Sequence, residues 1–230
     1  MSITCVTFDL DDTLWQVGPV IARAEQRFYD WLDEHCPRVT SHYEVADLTL
    51  HRRDFFREFH DQMHDLTTLR KRWLAHILEE YGYAPELVET GFRVFWEHRN
   101  AVTLFDDVPD AMEILRERYA LGVITNGNAC VEFIGIGHWF DFVVSSERAG
   151  AAKPEARIFH AALDHAGVEP ERVAHVGDDP ERDVLGAAAV GMRTVWYNPG
   201  LKPWPGGQTP DAVVRSIAEL PAALATMAGG

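Results

Sequence analysis

The sequence predicts an α/β protein: a doubly wound parallel sheet with a helical insertion after its first strand. Three observations favour this fold. Residues 3–8 form a short apolar and β-branched run that ends in acidic residues. Residues 19–99 show apolar positions at helical spacing and no convincing strand. From residue 107 onward, helical and strand patterns alternate, which is typical of a parallel sheet covered by helices.

Length and composition limit the classes of function. With 230 residues the chain can form one domain with an insertion, or two domains. Its net charge of −15 makes nucleic acid and anionic membranes poor partners, so we expect neither. No basic N-terminal segment precedes an apolar stretch, and no apolar run is long enough to span a bilayer. Three scattered cysteines fit reduced thiols, so we expect a cytoplasmic protein.

The first predicted strand leads directly into Asp9-Leu10-Asp11-Asp12. Residues two apart in an extended chain point the same way, so Asp9 and Asp11 should project together from the strand's carboxyl end. Open α/β sheets place their ligands at that edge. Two close carboxylates repel each other, and a bound cation relieves the repulsion. An acidic turn that caps the next helix is the alternative interpretation.

The insertion is predicted to hold about four helices. Their apolar positions are Ile21, Ala24, Phe28, Trp31 and Leu32; Phe55, Phe56, Phe59 and Met63; Leu69, Trp73, Leu74, Ile77, Leu78 and Tyr81; and Leu87, Val88, Phe92, Phe95 and Trp96. Gly82 is expected to end the third helix and Pro85 to begin the fourth. The aromatic residues could stack on a flat heterocycle, but helical spacing is more typical of a packed core.

Charged residues of the insertion leave two interpretations open. The basic residues could steer an anionic substrate or lie on solvated helix faces; they are Arg52, Arg53, Arg70, Lys71 and Arg72. His60 and His64 stand four residues apart and could share a metal. Without a third ligand nearby, surface histidines are the favoured interpretation.

The alternating part of the chain supplies the remaining elements in order. The patterns predict helix 108–118, strands 120–124 and 140–144, helix 154–165, strand 173–176, helix 183–190 and strand 194–196. A loop rich in proline and glycine, a short strand and a terminal helix follow. Several of these strands end in polar residues, as the first one does.

These strand ends suggest phosphoryl-transfer chemistry. Asp9 could attack phosphorus as a nucleophile, and Asp11 could donate and later accept a proton. Asp178 could supply a further oxygen ligand for Mg²⁺. The other candidates are Thr125 with the amides of Asn126 and Gly127 as phosphate donors, Lys153 as charge stabiliser, and Asp183 as a residue that orders metal-bound water or Lys153.

Each of these segments also has an ordinary structural interpretation. Asn126-Gly127 could be a plain turn, and Lys153 an ordinary lysine before a helix. Asp178-Asp179 could cap the following helix. Together with the acidic turn at residues 9–12, four such coincidences would be needed, all at strand ends and in a workable order, so a catalytic site is the favoured prediction.

Taken together, these motifs resemble those of the haloacid dehalogenase-like (HAD) superfamily. The resemblance rests on Phe8 to Leu14, Ile124 to Asn128, Lys153-Pro154, and Val176 to Asp179 with Asp183, followed by the segment Gly186 to Met192. It implies a Rossmann-like core formed by residues 1–15 and 102–230, with an inserted α-helical cap formed by residues 16–101. It also implies a Mg²⁺-dependent hydrolase.

The resemblance assigns roles residue by residue. It implies Asp9 as nucleophile, Asp11 as general acid and base, Thr125 as phosphate binder, Lys153 as charge stabiliser and Asp178 as Mg²⁺ ligand. Asp9 and the backbone carbonyl of Asp11 would be further ligands, with Asp179 and Asp183 around them. The superfamily's dehalogenases lack an aspartate at the position of Asp11 and use no metal, so its presence favours a phosphatase.

A narrower resemblance suggests a substrate. Asp9 to Leu14 with Pro19-Val20-Ile21, Ile124 to Ala129, Gly135 to Val143 and His175 to Asp179 are similar to bacterial phosphatases of FMN and of 5-amino-6-(5-phospho-D-ribitylamino)uracil, a riboflavin-pathway intermediate. We therefore expect a small phosphate ester as substrate and a monomer or homodimer. The alternatives are another sugar or nucleotide monophosphatase, a phosphomutase, a 2-haloacid dehalogenase and a non-catalytic binding protein.

Overall fold

The computed structural model describes residues 2–228, and these residues form two compact units. Residues 1, 229 and 230 of the predicted core lie outside the described part. The core unit comprises the described residues up to Gln16 and those from Thr103 onward. The helical unit comprises Val17–Val102. That the helical unit acts as a cap stays a prediction.

The core unit contains a parallel sheet, which confirms the predicted fold class. Within residues 2–228 the sheet has six strands in the spatial order β3-β2-β1-β4-β5-β6. Their bounds are β1 Cys5–Phe8, β2 Ala120–Thr125, β3 Phe142–Ser145, β4 Val173–Gly177, β5 Arg193–Tyr197 and β6 Ala212–Val214. The chain winds outward in opposite directions from β1 and β4. The crevice between these two strands is where doubly wound sheets bind ligands.

The central strand explains where the acidic segment lies. All four residues of β1 are buried, as its apolar run predicts for a strand with neighbours on both sides. Phe8 pairs with Val123 of β2 and with Val176 of β4. The residues that follow these three positions therefore meet at one edge of the sheet.

The helices follow the predicted order. In the helical unit they are α1 Val17–His35, α2 Pro37–Thr40, α3 Val45–Arg57, α4 Leu66–Glu80 and α5 Leu87–Arg99. In the core unit they are α6 Val108–Arg116, α7 Val131–Ile134, α8 Ser146–Ala149, α9 Ala156–Ala166, α10 Gly186–Ala189 and α11 Leu220–Ala228. Over the described chain, none of the helices combines the length and the apolar character needed to cross a bilayer.

One predicted helix of the core has a different form. The sequence predicts a helix over residues 183–190, but the structure has a π-helical turn, Pro180–Leu185, followed by the single turn of α10. The Asp179 side chain accepts hydrogen bonds from the N–H groups of Glu181 and Arg182, so the turn begins earlier than the apolar pattern indicates. Such turns are frequent at functional sites.

The helical unit has its own apolar core and a buried ionic group. Its aromatic residues pack at helical spacing, and the most buried ones are Phe28, Trp31, Trp73, Phe92 and Phe95. Glu25 of α1 bonds to Arg52 of α3 at 2.8 Å and to Arg70 of α4 at 2.6 Å. Neither arginine lies on a solvated face, and each is already paired. Steering of a substrate is therefore not the role of Arg52 or Arg70.

Candidate active site

Asp9 lies at the centre of the site because it directly follows the central strand. Its N–H donates to the carbonyl of Val176 at 2.9 Å, which extends the β1–β4 pairing by one residue. The residue is only 8% exposed. Burial raises the pKa of Asp9 to about 8, and the charges of Asp183 and Asp11 add to the effect while Lys153 opposes it.

Lys153 bridges two of the acidic residues. Its Nζ donates to Asp9 Oδ1 and to Asp183 Oδ1, each at 2.6 Å, and the residue is 4% exposed. Burial alone would lower the pKa of this lysine. The charges of Asp183 and Asp9 outweigh burial, so the pKa of Lys153 is raised. The ammonium therefore stays protonated beside Asp9.

Asn126 holds the Lys153 segment in place. Its Oδ1 accepts from the backbone N–H of Lys153 at 2.7 Å, and its Nδ2 donates to the Lys153 carbonyl at 3.0 Å. The backbone carbonyl of Asn126 in turn accepts from Ser146 Oγ at 3.1 Å. The side chain of Asn126 thus joins the loop after β2 to the loop before α9, whereas the sequence predicted a role for its backbone amide. That the backbone N–H of Asn126 binds phosphate stays a prediction.

Thr125 and Gly127 contact each other in the same loop. Thr125 is buried at the end of β2, and its Oγ1 accepts from the N–H of Gly127 at 3.0 Å. A threonine hydroxyl can still donate its own hydrogen while it accepts. Thr125 therefore retains the donor that the predicted phosphate-binding role requires.

Asp183 connects Lys153 to a buried histidine. Its Oδ1 lies 3.2 Å from His175 Nε2, and His175 Nδ1 lies 2.9 Å from Thr7 Oγ1. Burial by itself would raise the pKa of Asp183, but the charge of Lys153 and the contact with His175 lower it overall. Burial lowers the pKa of His175. Asp183 is thus held as a carboxylate that fixes the Lys153 ammonium.

His175 is a site residue that no sequence motif predicted. It lies inside β4, and its two partners are 8 and 168 residues away in the chain. Gly177, at the end of that strand, allows Asp183 to come close, because a Cβ on residue 177 would overlap the Asp183 carboxyl carbon. The only sequence signal is a polar residue in an otherwise apolar strand.

The acidic residues form a group that fits a divalent cation. Carboxylate oxygens of Asp9, Asp178 and Asp183 all lie within 4.8 Å of one another. Burial raises the pKa of Asp178 to about 7, with further increases from the charges of Asp183 and Asp12. Clustered hard oxygen ligands suit Mg²⁺, whose charge would offset their repulsion. The donor set therefore fits the metal that the sequence predicts.

The remaining predicted residues have other contacts. Asp11 is partly buried, and its Oδ1 accepts from the indole Nε1 of Trp15 at 2.9 Å. The Asp179 carboxylate caps the π-helical turn, while the Asp179 N–H donates to Asp183 Oδ2 at 3.0 Å. Asp179 thus shapes the segment between Asp178 and Asp183, as the capping alternative of the sequence analysis describes.

The histidines that lie close together in the helical unit are not the pair His60 and His64 that the sequence suggested. His51, His76 and Glu80 bring ligand atoms within 4.8 Å of one another, whereas His60 and His64 are not in this group. However, Trp73 Nε1 donates to His51 Nδ1 at 2.9 Å. Neutral His51 then carries its proton on Nε2, and neither ring nitrogen has a lone pair to offer a metal. These three residues are not assigned a ligand.

Comparison with known proteins adds a family and several relatives. The family described as haloacid dehalogenase-like hydrolase matches residues 3–191. The chain is 29% identical to the 5-amino-6-(5-phospho-D-ribitylamino)uracil phosphatase YigB of Escherichia coli, over 95% of this chain and 94% of that protein. It is 35% identical to a phosphoserine phosphatase of Thermus thermophilus, over 66% of this chain and 63% of the relative.

A solved structure resembles the chain over almost its full length. It is described as a 2-haloacid dehalogenase from Pseudomonas syringae pv. tomato, with a TM-score of 0.92 and 40% sequence identity. The match covers 97% of this chain and 99% of that one. The similar proteins therefore carry the names of two reactions, phosphate ester hydrolysis and dehalogenation.

Proposed function

Because the chain belongs to the haloacid dehalogenase-like hydrolase family, we propose that it is a Mg²⁺-dependent phosphatase that acts through an aspartyl phosphate. One observation carries the proposal. Buried Asp9 contacts Lys153 at 2.6 Å and shares a cluster with Asp178 at the carboxyl end of the central strand. A carboxylate so placed has a fixed counter-charge on one oxygen and neighbouring ligands for a cation.

The residues of the site divide the work of phosphoryl transfer. Asp9 attacks phosphorus, while Lys153 balances charge on the phosphoryl oxygens and on Asp9. Asp11 protonates the departing oxygen and later takes a proton from the attacking water. Thr125 binds a phosphoryl oxygen together with the backbone amide of Asn126, while the Gly127 N–H, which donates to Thr125 Oγ1, orients that hydroxyl. Asp183 keeps Lys153 protonated and in place.

Asp9, Asp178 and the backbone carbonyl of Asp11 would hold Mg²⁺. When bound, Mg²⁺ neutralises phosphoryl charge and draws the phosphate toward the nucleophile. The raised pKa values of Asp9 and Asp178 support this proposal: burial is the main cause of both, and the charges of neighbouring carboxylates add to it, so a cation would stabilise the ionised forms. Asp183 accepts hydrogen bonds from Lys153 Nζ and from the Asp179 N–H, and it thereby fixes the position of both residues.

The favoured substrate is a small phosphate monoester of the riboflavin pathway. The support is the 29% identity to the E. coli ribitylaminouracil phosphatase over 95% of the chain. FMN, which carries the same ribityl phosphate, is included in the proposal. Other sugar or nucleotide monophosphates are the next candidates, and phosphomutase activity would require that water be kept from the aspartyl phosphate.

Dehalogenation is a second candidate because of the structure that is 40% identical and named as a dehalogenase. Asp9 could displace chloride from a 2-haloacid by the same kind of attack. Chloride is a weak base that leaves without a proton, so that reaction needs no acid at residue 11 and no metal. The presence of Asp11 and of the Asp9–Asp178 pair favours the phosphatase.

A single experiment separates these functions. Phosphate release is measured from p-nitrophenyl phosphate, FMN and a panel of sugar and nucleotide monophosphates, with Mg²⁺ and with EDTA. Chloride release is measured from 2-chloropropionate without metal. Mg²⁺-dependent phosphate release is expected. Chloride release alone would replace the proposal with dehalogenation, and no turnover in either assay would indicate a binding protein.

A further inference from the structure

Trp15 lies directly against the residue proposed as general acid and base. Its side chain is fully buried, and its indole N–H donates to Asp11 Oδ1 at 2.9 Å. The main chain adds to this contact, because the Asp12 N–H donates to the Trp15 carbonyl at 2.8 Å and residues 11 and 15 form a parallel β-bridge. Trp15 therefore fixes both the backbone and the side chain of the Asp11 segment.

The chemistry of the indole determines where Asp11 can carry a proton. An indole N–H donates and never accepts a hydrogen bond. The carbonyl oxygen of a carboxylic acid accepts better than its hydroxyl oxygen, so the contact favours the form in which the oxygen that faces Trp15 is unprotonated. A carboxylic acid has one proton for its two oxygens. While the contact with Trp15 persists, the proton of neutral Asp11 is favoured on Oδ2, because Oδ1 is the acceptor.

Burial makes the contact persistent. A buried N–H that loses its acceptor gains no water in exchange, which is unfavourable. Rotation of the Asp11 carboxylate away from Trp15 would leave the indole N–H in that state. Trp15 thus opposes such rotation and keeps one particular oxygen available for proton transfer.

We propose that Trp15 is a positioning residue that holds Asp11 with Oδ2 as its proton-carrying oxygen; this rests on the proposed phosphatase function. As Asp9 bonds to phosphorus and the bond from phosphorus to the leaving oxygen breaks, the Asp11 Oδ2 proton moves to that oxygen. As water bonds to phosphorus and the bond from phosphorus to Asp9 breaks, a water proton returns to Asp11 Oδ2.

The test uses Trp15→Phe and two leaving groups. The value of kcat/KM covers the steps up to departure of the leaving group. An alkoxide leaves poorly without a proton, whereas p-nitrophenolate is stable enough to leave without one. We expect kcat/KM to fall at least about tenfold more for glycerol 2-phosphate than for p-nitrophenyl phosphate, because acid catalysis matters only for the former.

Trp139→Phe is the matched control. Trp139 is also a buried tryptophan of the core unit, and its Nε1 donates to the carboxylate of Glu113 at 2.8 Å. Its replacement removes the same kind of hydrogen bond away from the site. The ratio of kcat/KM for the two substrates should stay at the wild-type value in this variant.

The outcomes distinguish this proposal from the proposed function. An equal loss for both substrates in Trp15→Phe would overturn the positioning role and leave the phosphatase intact. Wild-type protein that hydrolyses neither substrate nor any of the panel would overturn both. If the phenylalanine variant does not fold by circular dichroism, β-(3-benzothienyl)alanine replaces Trp15, because it keeps the bicyclic shape without the N–H, and the same ratio decides.

Discussion

Charge at single residues controls the site. Asp9 and Asp183 share the Lys153 ammonium, with both distances at 2.6 Å, so these three residues carry one net negative charge when Asp9 is ionised. Asp178 adds another carboxylate to the same cluster. Burial makes each excess charge unfavourable, and this is why the pKa values of Asp9 and Asp178 are raised. The arrangement is that of a site that gains stability from an added cation.

Replacement of Asp9 by asparagine tests the nucleophile. The amide retains an oxygen that accepts from Lys153 Nζ and removes a buried charge, so folding should be preserved. An amide does not form the acyl phosphate, and phosphatase turnover should fall at least about 10³-fold. Turnover is measured as phosphate release with Mg²⁺, and folding as the thermal midpoint by circular dichroism.

Asp12→Asn is the control for that prediction. Asp12 is exposed and adopts a left-handed conformation with φ of 58°, which asparagine tolerates well. The same change from acid to amide, three residues further along the loop, should leave turnover within about threefold of wild type. Wild-type turnover in Asp9→Asn would disprove the nucleophile assignment.

At the scale of elements, two loops are joined by one side chain. The loop after β2 carries Thr125 and Asn126, and the loop before α9 carries Lys153. The two hydrogen bonds of Asn126 to the Lys153 backbone fix the spacing between these loops. The position of the Lys153 ammonium therefore depends on a residue that need not touch substrate through its side chain.

Asn126→Ala should impair catalysis more than it impairs folding. Loss of the two hydrogen bonds frees the Lys153 backbone, and kcat should fall about 10- to 100-fold. Asp141→Ala is the control, because the Asp141 carboxylate accepts from the Leu121 N–H at 2.9 Å at the start of β2, the opposite end of that strand from Thr125. Both variants should lose a similar amount of stability by urea unfolding. Equal loss of kcat in the two would contradict the role assigned to Asn126.

The helices of the helical unit are joined by charge as well as by apolar packing. Glu25 of α1 lies between Arg52 of α3 and Arg70 of α4, and all three are buried. Burial would raise the pKa of Glu25, but the charges of Arg70 and Arg52 outweigh it and lower the pKa. The stability that this carboxylate contributes is therefore present above its ordinary pKa and is lost as the pH falls below it.

Glu25→Gln should destabilise the protein strongly. The variant leaves two buried guanidinium groups without a counter-charge, which costs about 3–5 kcal/mol of the free energy of unfolding. Asp54→Asn is the control, because Asp54 pairs with Arg57 at 2.6 Å on an exposed face, where a pair contributes less than about 1 kcal/mol. Both are measured by urea unfolding near neutral pH. Similar values for the two would show that the buried group does not stabilise the unit.

At the scale of the whole molecule, local patterns predicted the elements and the sheet. Apolar runs and helical spacing are local properties, so β1, the helices of the insertion and the later alternation could be recognised. The parallel sheet then places strand ends at one edge, where the structure brings Asp9, Lys153 and Asp178 close together. The roles of these residues in turnover stay predictions.

What the sequence could not predict depends on distant partners. Nothing near Arg52 or Arg70 indicates that both pair with Glu25, which is 27 and 45 residues away. The contact of His175 with Thr7 and the contact of Asn126 with Lys153 are equally non-local. The π-helical turn arises from backbone hydrogen bonds to Asp179, which an apolar pattern does not record.

The charge of the whole site predicts how stability depends on pH. The pKa values of Asp9 and Asp178 are raised, to about 8 and about 7, so the folded chain binds these protons more tightly than the unfolded chain does. The contribution of protonated Asp9 and Asp178 to the free energy of unfolding is fully present below their ordinary pKa values. It is lost as the pH rises toward 8. Asp183 and Lys153 stay charged across this interval, since the pKa of Asp183 is lowered and that of Lys153 is raised.

Without metal, the thermal midpoint should therefore decrease as the pH is raised from about 5 to about 8. The decrease should correspond to a loss of about 2 kcal/mol or more in the free energy of unfolding. Mg²⁺ at about 100 times its Kd should restore about 2.7 kcal/mol at the upper pH, where the carboxylates are ionised, and less at the lower pH.

Asp178→Asn should show a smaller fall with pH and a smaller response to Mg²⁺, because it removes one of the two titrating carboxylates. The measurement is a thermal melt of both proteins at each pH, in EDTA and in Mg²⁺. A midpoint that Mg²⁺ leaves unchanged at every pH would mean that these carboxylates do not hold the cation, and the proposed phosphatase mechanism would fail with them.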